Sequence, residues 1–176
     1  MPEQMIKIER LSPETFDAHI PALAEILNAS VTNGASVSFV LPHSLVDSQS
    51  FWVNSVRPAL HTGRRTVWVA KVGDDVAGTV QLDCDTPPNQ PHRAEVSKLL
   101  VHPDFRRNGI ARSLMIELEI HAQDLGRSLI TLDTASADAE ALYASLGYQR
   151  VGSIPGFAKD PIDDHRDATT IMFKQL

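Results

Sequence analysis

The chain has 176 residues, of which 43% are hydrophobic, so it is long enough for one domain with a sizeable buried core. Its formal net charge of −6 disfavours nucleic-acid binding, which depends on neutralising phosphates, and no apolar run reaches the ~18 residues of a bilayer span. The opening residues Met1-Pro2-Glu3-Gln4 lack the basic and apolar regions of a signal peptide, so we expect a cytoplasmic protein. We expect a single domain over residues 1–176, with no nucleic-acid partner and no membrane partner.

The first half of the chain predicts one strand, two helices and then three strands. Residues 5–11 alternate apolar and polar side chains, as strands do, and Ser12-Pro13-Glu14 has the residue types of a helix start. The first helix is predicted to end near residue 29 and the second to cover about 44–61, with a polar loop of small residues between them. The three strands are predicted over 65–72, 76–83 and 94–101.

The second half alternates helices and strands. The pattern predicts a helix over 110–125, a strand over 128–134, a helix over 137–146, and strands over 148–154 and 169–174, with a loop between the last two. The complete order is β-α-α-β-β-β-α-β-α-β-β. The seven histidines do not cluster at metal-ligand spacing, and the single cysteine adds nothing to them, so no metal site is predicted.

The most informative stretch is Arg106-Arg107-Asn108-Gly109-Ile110-Ala111, which lies between an apolar strand and a long amphipathic helix. A glycine at this turn lets the backbone pass close to an anion, and the free N–H groups of a helix's first turn carry the positive end of the helix dipole. The stretch therefore predicts a pyrophosphate site. The alternative is an ordinary loop glycine beside two solvated arginines. The P-loop and G-x-G-x-x-G motifs are absent, which disfavours nucleotide hydrolysis.

This stretch resembles the acetyl-CoA signature of the GCN5-related N-acetyltransferase (GNAT) family: Arg or Gln, two residues, Gly, one residue, then Gly or Ala. Arg106, Gly109 and Ala111 fill its three fixed positions. The resemblance implies that the loop holds the pyrophosphate of acetyl-CoA, and that Leu100 and Val101 pair their backbone with the pantetheine arm.

The predicted order of elements also resembles the GNAT family from end to end. The resemblance implies an α/β (α+β) fold: a central mixed, mostly antiparallel sheet, splayed between its fourth and fifth strands and flanked by about four helices. The splay leaves backbone groups unpaired, and the amides of pantetheine would satisfy them as an added strand does.

Residues 139–148 resemble the family's A-x-x-x-Y-x-x-x-G-[FY] segment, whose tyrosine lies near the CoA sulfur and acts as a general acid. Tyr143 occupies that position. A phenol with a reference pKa of about 10 is protonated at neutral pH and can donate to a leaving thiolate. The alternative is an aromatic residue packed on a helix face. The family often has an asparagine seven residues earlier that bonds the pantetheine; here Ser136 stands there, and its hydroxyl can bond the same amide at shorter reach.

Two carboxylates are candidates for a general base and its helper. Glu95 lies in a strand that should be nearly all buried, and Asp133 ends the apolar run Leu129-Ile130-Thr131-Leu132. Both strands border the implied splay, so both carboxylates could face one acceptor pocket and deprotonate an ammonium. The alternative is that Glu95 faces solvent and pairs with Lys98 or Arg93, while Asp133 caps the next helix.

Four further segments, 34–39, 93–99, 132–134 and 151–157, resemble one branch of the family, the tabtoxin resistance acetyltransferase and its relatives. This resemblance implies a small, amino-acid-like acceptor amine, such as a toxin or an antibiotic, acetylated from acetyl-CoA by direct attack. No activated Cys or Ser is visible that would form a covalent intermediate. Two alternatives stay open: acetylation of a protein or peptide amine, and a non-catalytic sensor of acyl-CoA. A homodimer is also left open.

Overall fold

The computed structural model describes residues 5–176, so the signal-peptide expectation on the first four residues lies outside the described part. One seven-stranded sheet runs through the molecule in the order β1-β2-β3-β4-β5-β7-β6. Its strands are β1 Ile6–Arg10, β2 Arg65–Val72, β3 Asp75–Asp83, β4 Arg93–Val101, β5 Leu129–Thr134, β6 Gln149–Lys159 and β7 Arg166–Gln175. Only the β4–β5 pair is parallel, so the predicted mixed, mostly antiparallel sheet is confirmed.

Four α-helical segments flank the sheet, as predicted. Their α-helices are α1 Pro13–Thr32, α2 Leu45–Phe51, α3 Arg57–His61, α4 Ile110–Asp124 and α5 Ala137–Ser145. A short 3-10 helix covers Pro103–Phe105 before the α4 loop. A π-helical turn, Trp52–Val56, joins α2 and α3 without a break, so the predicted helix over about 44–61 is one continuous segment. Among the described residues, no helix combines the length and the apolar character that crossing a membrane would require.

The two faces of the sheet carry separate hydrophobic clusters. On one face, α1 packs Phe16, Leu23 and Leu27 against strand residues that include Val67 and Val69. The start of α1 is confirmed: Ser12 accepts a hydrogen bond from the Thr15 N–H, and the helix continues three residues beyond the predicted end. On the other face, α4 packs Leu114, Met115 and Leu118 against the sheet.

The sheet splays between β4 and β5. Only three residue pairs join these strands, Arg93 with Leu129, Ala94 with Ile130 and Glu95 with Thr131, although β4 continues to Val101. On its other side, β4 pairs with β3 through a bulge, because Gln81 pairs with Ser97 while Thr79 pairs with Leu100. One edge of β4 is therefore left without a strand partner in the described structure, as the fold expectation required.

The start of α4 lies close against β3 because of one glycine. A Cβ atom on Gly78 would lie 2.9 Å from Ile110 Cγ2, which is closer than real Cβ contacts, and 3.0 Å from the Leu100 carbonyl oxygen, which is unusually tight. Gly78 therefore lets the first residue of α4 sit directly on the sheet, beside the unpaired part of β4.

The β6–β7 hairpin differs from its prediction. Residues 155–168 were expected to form a loop, but β6 continues to Lys159 and β7 begins at Arg166. The register between the two strands shifts between Ile154 and Ala158, and this irregularity accommodates Pro155 and Gly156 without ending the pairing. The hairpin consequently extends far enough for β6 to reach the splayed region.

Candidate active site

The loop before α4 presents a row of free backbone N–H groups. Gly109 is the N-cap of α4 at φ 77°, and Arg107 also has a positive φ of 65°. The first helical hydrogen bond of α4 is from Ser113 N to Gly109 O, 3.0 Å. Within residues 5–176, none of the N–H groups of residues 107–112 donates to a protein atom. Such a concave array of N–H groups at a helix N-terminus is a preferred site for an anion.

Space and positive charge accompany these N–H groups. A Cβ atom on Gly109 would meet no atom within 4 Å, so the region above the turn is open. Arg107 donates to Asp138 (3.0 Å) and Arg112 donates to Ser145 (2.7 Å), which ties both side chains to α5 beside the loop. Arg106 is exposed and has no carboxylate within 4.0 Å among the described residues. The loop therefore fits a doubly charged diphosphate group.

The predicted pantetheine-binding residues lie at the splayed end of β4. Leu100 is buried in the hydrophobic cluster on the α1 side and pairs with Thr79 of β3, while Val101 pairs with Gly78. The opposite edge of β4 has no ladder partner beyond Glu95 in the described chain. An extended arm with alternating amide groups could pair with that edge and lead from the α4 loop toward the point where β4 and β5 separate.

A pocket of about 200 Å³ opens at this separation point, and four strands contribute to its wall. Its lining residues are Glu95, Thr131, Leu132, Asp133, Phe157, Thr169 and Ile171. The structure thus brings the two predicted carboxylates together in one pocket. Phe157 belongs to the segment 151–157 that resembles the tabtoxin resistance branch, whereas Thr169 and Ile171 were not singled out, because the pairing of β7 with β5 depends on contacts distant in sequence.

Asp133 is held in place by a strand neighbour rather than by a helix. The Thr169 hydroxyl donates to Asp133 Oδ2 at 2.7 Å. Helix α5 is capped by Ser136 instead, whose Oγ accepts a hydrogen bond from the Ala139 N–H at 3.2 Å. The interpretation of Asp133 as a helix cap is therefore wrong, and the carboxylate keeps one oxygen available to the pocket. The Ser136 oxygen is already engaged, although its hydroxyl hydrogen remains able to donate.

Glu95 is more exposed than the sequence predicted. The expectation of a nearly all-buried strand is wrong: only Ala94, Val96 and Leu100 of β4 are buried, and half of the Glu95 side chain is exposed. The reason is the alternation of the strand, because Ala94 and Val96 face the α4 cluster while Glu95 faces the open side. Arg93 Nη1 lies 3.4 Å from Glu95 Oε2, so the predicted ion pair with Arg93 is present as well.

Tyr143 is buried at the α5 side of the same region, with 5% of its surface exposed. Burial raises the pKa of its phenol, and the nearby Asp133 carboxylate raises that pKa further, so the hydroxyl keeps its proton throughout the neutral range. Its ring also packs against Tyr148, with ring centroids 5.6 Å apart. The environment therefore fits a proton donor, and it also fits the packing role that was the alternative.

One further charged residue lies near this region, and the sequence analysis did not select it. Lys98 occupies the bulge of β4 at φ 50°, three residues after Glu95. Burial lowers the pKa of its amine and the Arg65 charge lowers it too, whereas the Asp133 carboxylate raises it. A lysine within the apolar run from Val96 to Val101 was the signal that could have identified it.

Known proteins match both the chain and its fold. A family model described as an acetyltransferase (GNAT) domain matches residues 63–150, which is half of the chain. N-acetyltransferase 8B of Rattus norvegicus is 29% identical over 131 residues, covering 66% of this chain and 59% of that protein. N-acetylaspartate synthetase of Danio rerio is 24% identical over 177 residues, covering 87% and 62% respectively. The chain thus spans about six-tenths of the length of these two relatives.

Solved structures share the complete fold. The protein yncA of Salmonella typhimurium, solved with its cofactor acetyl-CoA, superposes with a TM-score of 0.75 at 20% sequence identity, covering 98% of this chain and 94% of that chain. The splayed sheet and the α4 loop described above agree with the family that the model identifies. Because the family model matches half of its residues, the chain belongs to the GNAT acetyltransferase family.

Proposed function

We propose that the protein transfers an acetyl group from acetyl-CoA to the primary amine of a small, amino-acid-like molecule, by direct attack of the amine on the thioester. The observation that carries this proposal is the row of free N–H groups over residues 107–112, which adjoins the unpaired edge of β4 and leads to a pocket with two carboxylates. Acetyl-CoA would supply the activated acetyl group. The residues of this chain would bind it, orient the acceptor and move two protons.

The cofactor end is supported by backbone geometry. The N–H groups at the start of α4, with Arg106 and Arg107 beside them, would hold the pyrophosphate. Leu100 and Val101 would hold the pantetheine arm through the unpaired edge of β4, and the Ser136 hydroxyl could donate to the same arm. These contacts would direct the thioester toward the separation of β4 and β5.

The chemistry requires a base on one side of the thioester and an acid on the other. Glu95 or Asp133 would take a proton from the acceptor ammonium, which frees the nitrogen lone pair. The nitrogen then forms a bond to the acetyl carbon, the carbon–sulfur bond breaks, and the second proton that the nitrogen loses would restore the phenol of Tyr143 through solvent. Tyr143 would donate its phenolic proton to the departing thiolate, and burial favours the protonated phenol that this role needs.

The size of the pocket favours a small acceptor. About 200 Å³ is below the ~300–1,000 Å³ of pockets that hold drug-sized ligands, so the space suits a molecule of amino-acid size. Three of the four segments that resemble the tabtoxin resistance branch contribute to its wall through Glu95, Asp133 and Phe157. A relative named N-acetylaspartate synthetase is consistent with an acceptor of this class. We extend the proposal to that branch on these grounds.

The test combines a binding measurement with a turnover measurement. Calorimetry would titrate coenzyme A into the purified protein, and a thiol-release assay would present acetyl-CoA with a panel of small primary amines and with short peptides. We expect coenzyme A to bind and at least one small amine to release thiol. Binding without release from any amine would favour a sensor, and release with peptides alone would favour a protein acetyltransferase. Either outcome would contradict the proposal.

A further inference from the structure

Lys98 differs from the other partly buried lysines of the chain in lacking a carboxylate partner. Lys71 lies 2.9 Å from Glu9, and Lys174 lies 2.6 Å from Glu119. Among residues 5–176, no carboxylate oxygen lies within 4.0 Å of Lys98 Nζ. Removing an ammonium from water without an opposite charge costs free energy. The described part of the protein alone does not supply that opposite charge to Lys98.

The surroundings of Lys98 are aromatic and polar rather than acidic. Its Nζ donates to Ser38 Oγ at 3.2 Å. It also lies 6.0 Å from the ring centroid of Phe39 and 5.6 Å from that of Phe51, within the range of cation–π attraction. These contacts hold the amine in a defined place, because three groups from the α1–α2 region surround it. They leave the charge itself without a partner.

The same loop connects Lys98 with the acceptor pocket. Residues 33–44, between α1 and α2, carry Ser38 and Phe39 and also meet the turn between β6 and β7, where Leu41 N donates to Pro161 O at 3.0 Å. Strand β6 supplies Phe157 to the pocket, and β4 supplies Glu95 three residues before Lys98. Lys98 lies in the part of β4 that follows its last pairing with β5, at Glu95, and so lies beside the opening between the two strands.

We propose that Lys98 binds a carboxylate group of the acceptor, so that the natural acceptor is zwitterionic, with its ammonium at Glu95 and Asp133 and its carboxylate at the Lys98 amine. This inference rests on the proposed function, since it names the class of amine that the same pocket receives. Lys98 does not line the pocket itself, so the acceptor would extend from the two carboxylates along β4 to the Lys98 amine, and these opposite charges would match an amino acid in one orientation. Lys98 acts here as a specificity-determining residue, not as an acid or base.

The experiment compares amino acids with their α-carboxamides as acceptors, because each pair differs in the carboxylate alone. Values of kcat/KM would be measured for the wild type, Lys98→Met and Lys98→Arg. The amide also changes the basicity of the amine, so the decisive quantity is the acid-to-amide ratio of each variant relative to the wild type. Loss of a charge-assisted hydrogen bond should lower this ratio about tenfold or more in Lys98→Met, and Lys98→Arg should restore part of it.

A matched control is Lys7→Met, which removes one charge from an exposed position of β1 far from the pocket and should leave the ratio unchanged. A general loss of stability would lower both rates equally and would not change the ratio either. An unchanged ratio in Lys98→Met, with the wild type active, overturns the inference and leaves the N-acetyltransferase proposal standing.

A binding measurement separates this inference from turnover. Calorimetry would titrate N-acetyl amino acids and their amides into protein saturated with coenzyme A. We expect the wild type to bind the acid more tightly than the amide by about tenfold, and Lys98→Met to lose that difference. Equal binding of acid and amide by the wild type would overturn the inference whether or not any amine is acetylated.

Discussion

The two ends of the site are built in different ways. The proposed pyrophosphate site, at the cofactor end, consists of six consecutive residues, 107–112, whose backbone N–H groups have no partner in the described chain. The acceptor end consists of side chains from four strands, brought together where β4 and β5 separate. Most substitutions leave the backbone N–H groups of a helix start in place, whereas every substitution in a pocket made of side chains changes the pocket. Cofactor binding should therefore be robust in this fold, and acceptor choice should be easy to alter.

The largest expected effect concerns Tyr143, the proposed proton donor to the thiolate of the cofactor. Tyr143→Phe removes the phenolic proton donor and should lower kcat about 100-fold or more, with little change in coenzyme A affinity, because general acid catalysis contributes at least this much. The matched control is Tyr148→Phe, since Tyr148 is buried beside Tyr143 and its hydroxyl lies near Glu119, which does not line the pocket. Equal rates for Tyr143→Phe and the wild type would leave Tyr143 with only its packing role.

The next prediction concerns the backbone of the cofactor end. Gly109→Val places a branched side chain at φ 77° in the space above the free N–H groups, and we expect the affinity for coenzyme A to fall about 10- to 100-fold. Gly63→Val is a close control, because Gly63 has φ 72° and also has no neighbour within 4 Å of a Cβ, but lies at the end of α3. Calorimetry on both variants separates backbone strain from loss of the site. A similar fall in both would contradict the assignment.

The third prediction concerns a side chain of the acceptor end. Thr169→Val keeps the shape of a buried residue but removes the hydrogen bond to Asp133, and we expect kcat/KM for the acceptor to fall about tenfold while coenzyme A affinity is unchanged. Thr170→Val is the control, since the neighbouring Thr170 hydroxyl contacts Ser153 at 2.9 Å and does not line the pocket. A fall of the same size in both variants would indicate a general effect on β7.

The smallest expected effect distinguishes two roles of one hydroxyl. Ser136→Ala removes the N-cap of α5 and should lower the free energy of unfolding by about 1 kcal/mol. If Ser136 also donates to the pantetheine arm, its loss should weaken coenzyme A binding by a few-fold in addition. Ser136→Asp keeps an acceptor for the cap but cannot donate, so it should retain the stability and lose the affinity. Unchanged affinity in both variants would restrict Ser136 to its capping role.

The cofactor end depends on residues close in sequence and the acceptor end on residues distant in sequence. This difference explains how much of each could be predicted from the sequence. The α4 loop was predictable because Arg106, Gly109 and Ala111 are close in sequence and their effect is exerted through the adjacent backbone. The order of elements followed from hydrophobic periodicity, and the α1 start followed from Ser12 and Pro13. Each of these depends on neighbours along the chain.

The acceptor end was less predictable because its contacts are distant in sequence. Pro155 and Gly156 are typical of a loop, but the register shift between β6 and β7 accommodates them, which brings Phe157 to the pocket. The exposure of Glu95 depends on which face of β4 lies under α4. Lys98 was missed because its aromatic neighbours, Phe39 and Phe51, come from a different part of the chain.

The contact between Gly78 and Ile110 couples the cofactor end to the hydrophobic core. Ile110 is the first residue of α4, so its backbone N–H belongs to the proposed pyrophosphate site while its side chain is buried on the sheet. A bound diphosphate would therefore oppose fraying of this helix end, and melting temperature should rise with coenzyme A concentration. Conversely, a Gly78→Ala substitution would push α4 away from β3. It should thereby weaken the binding of a diphosphate to the N–H groups at the start of α4, although Gly78 itself lies in the core. Ligand affinity and resistance to unfolding should thus vary together in mutants of this core region.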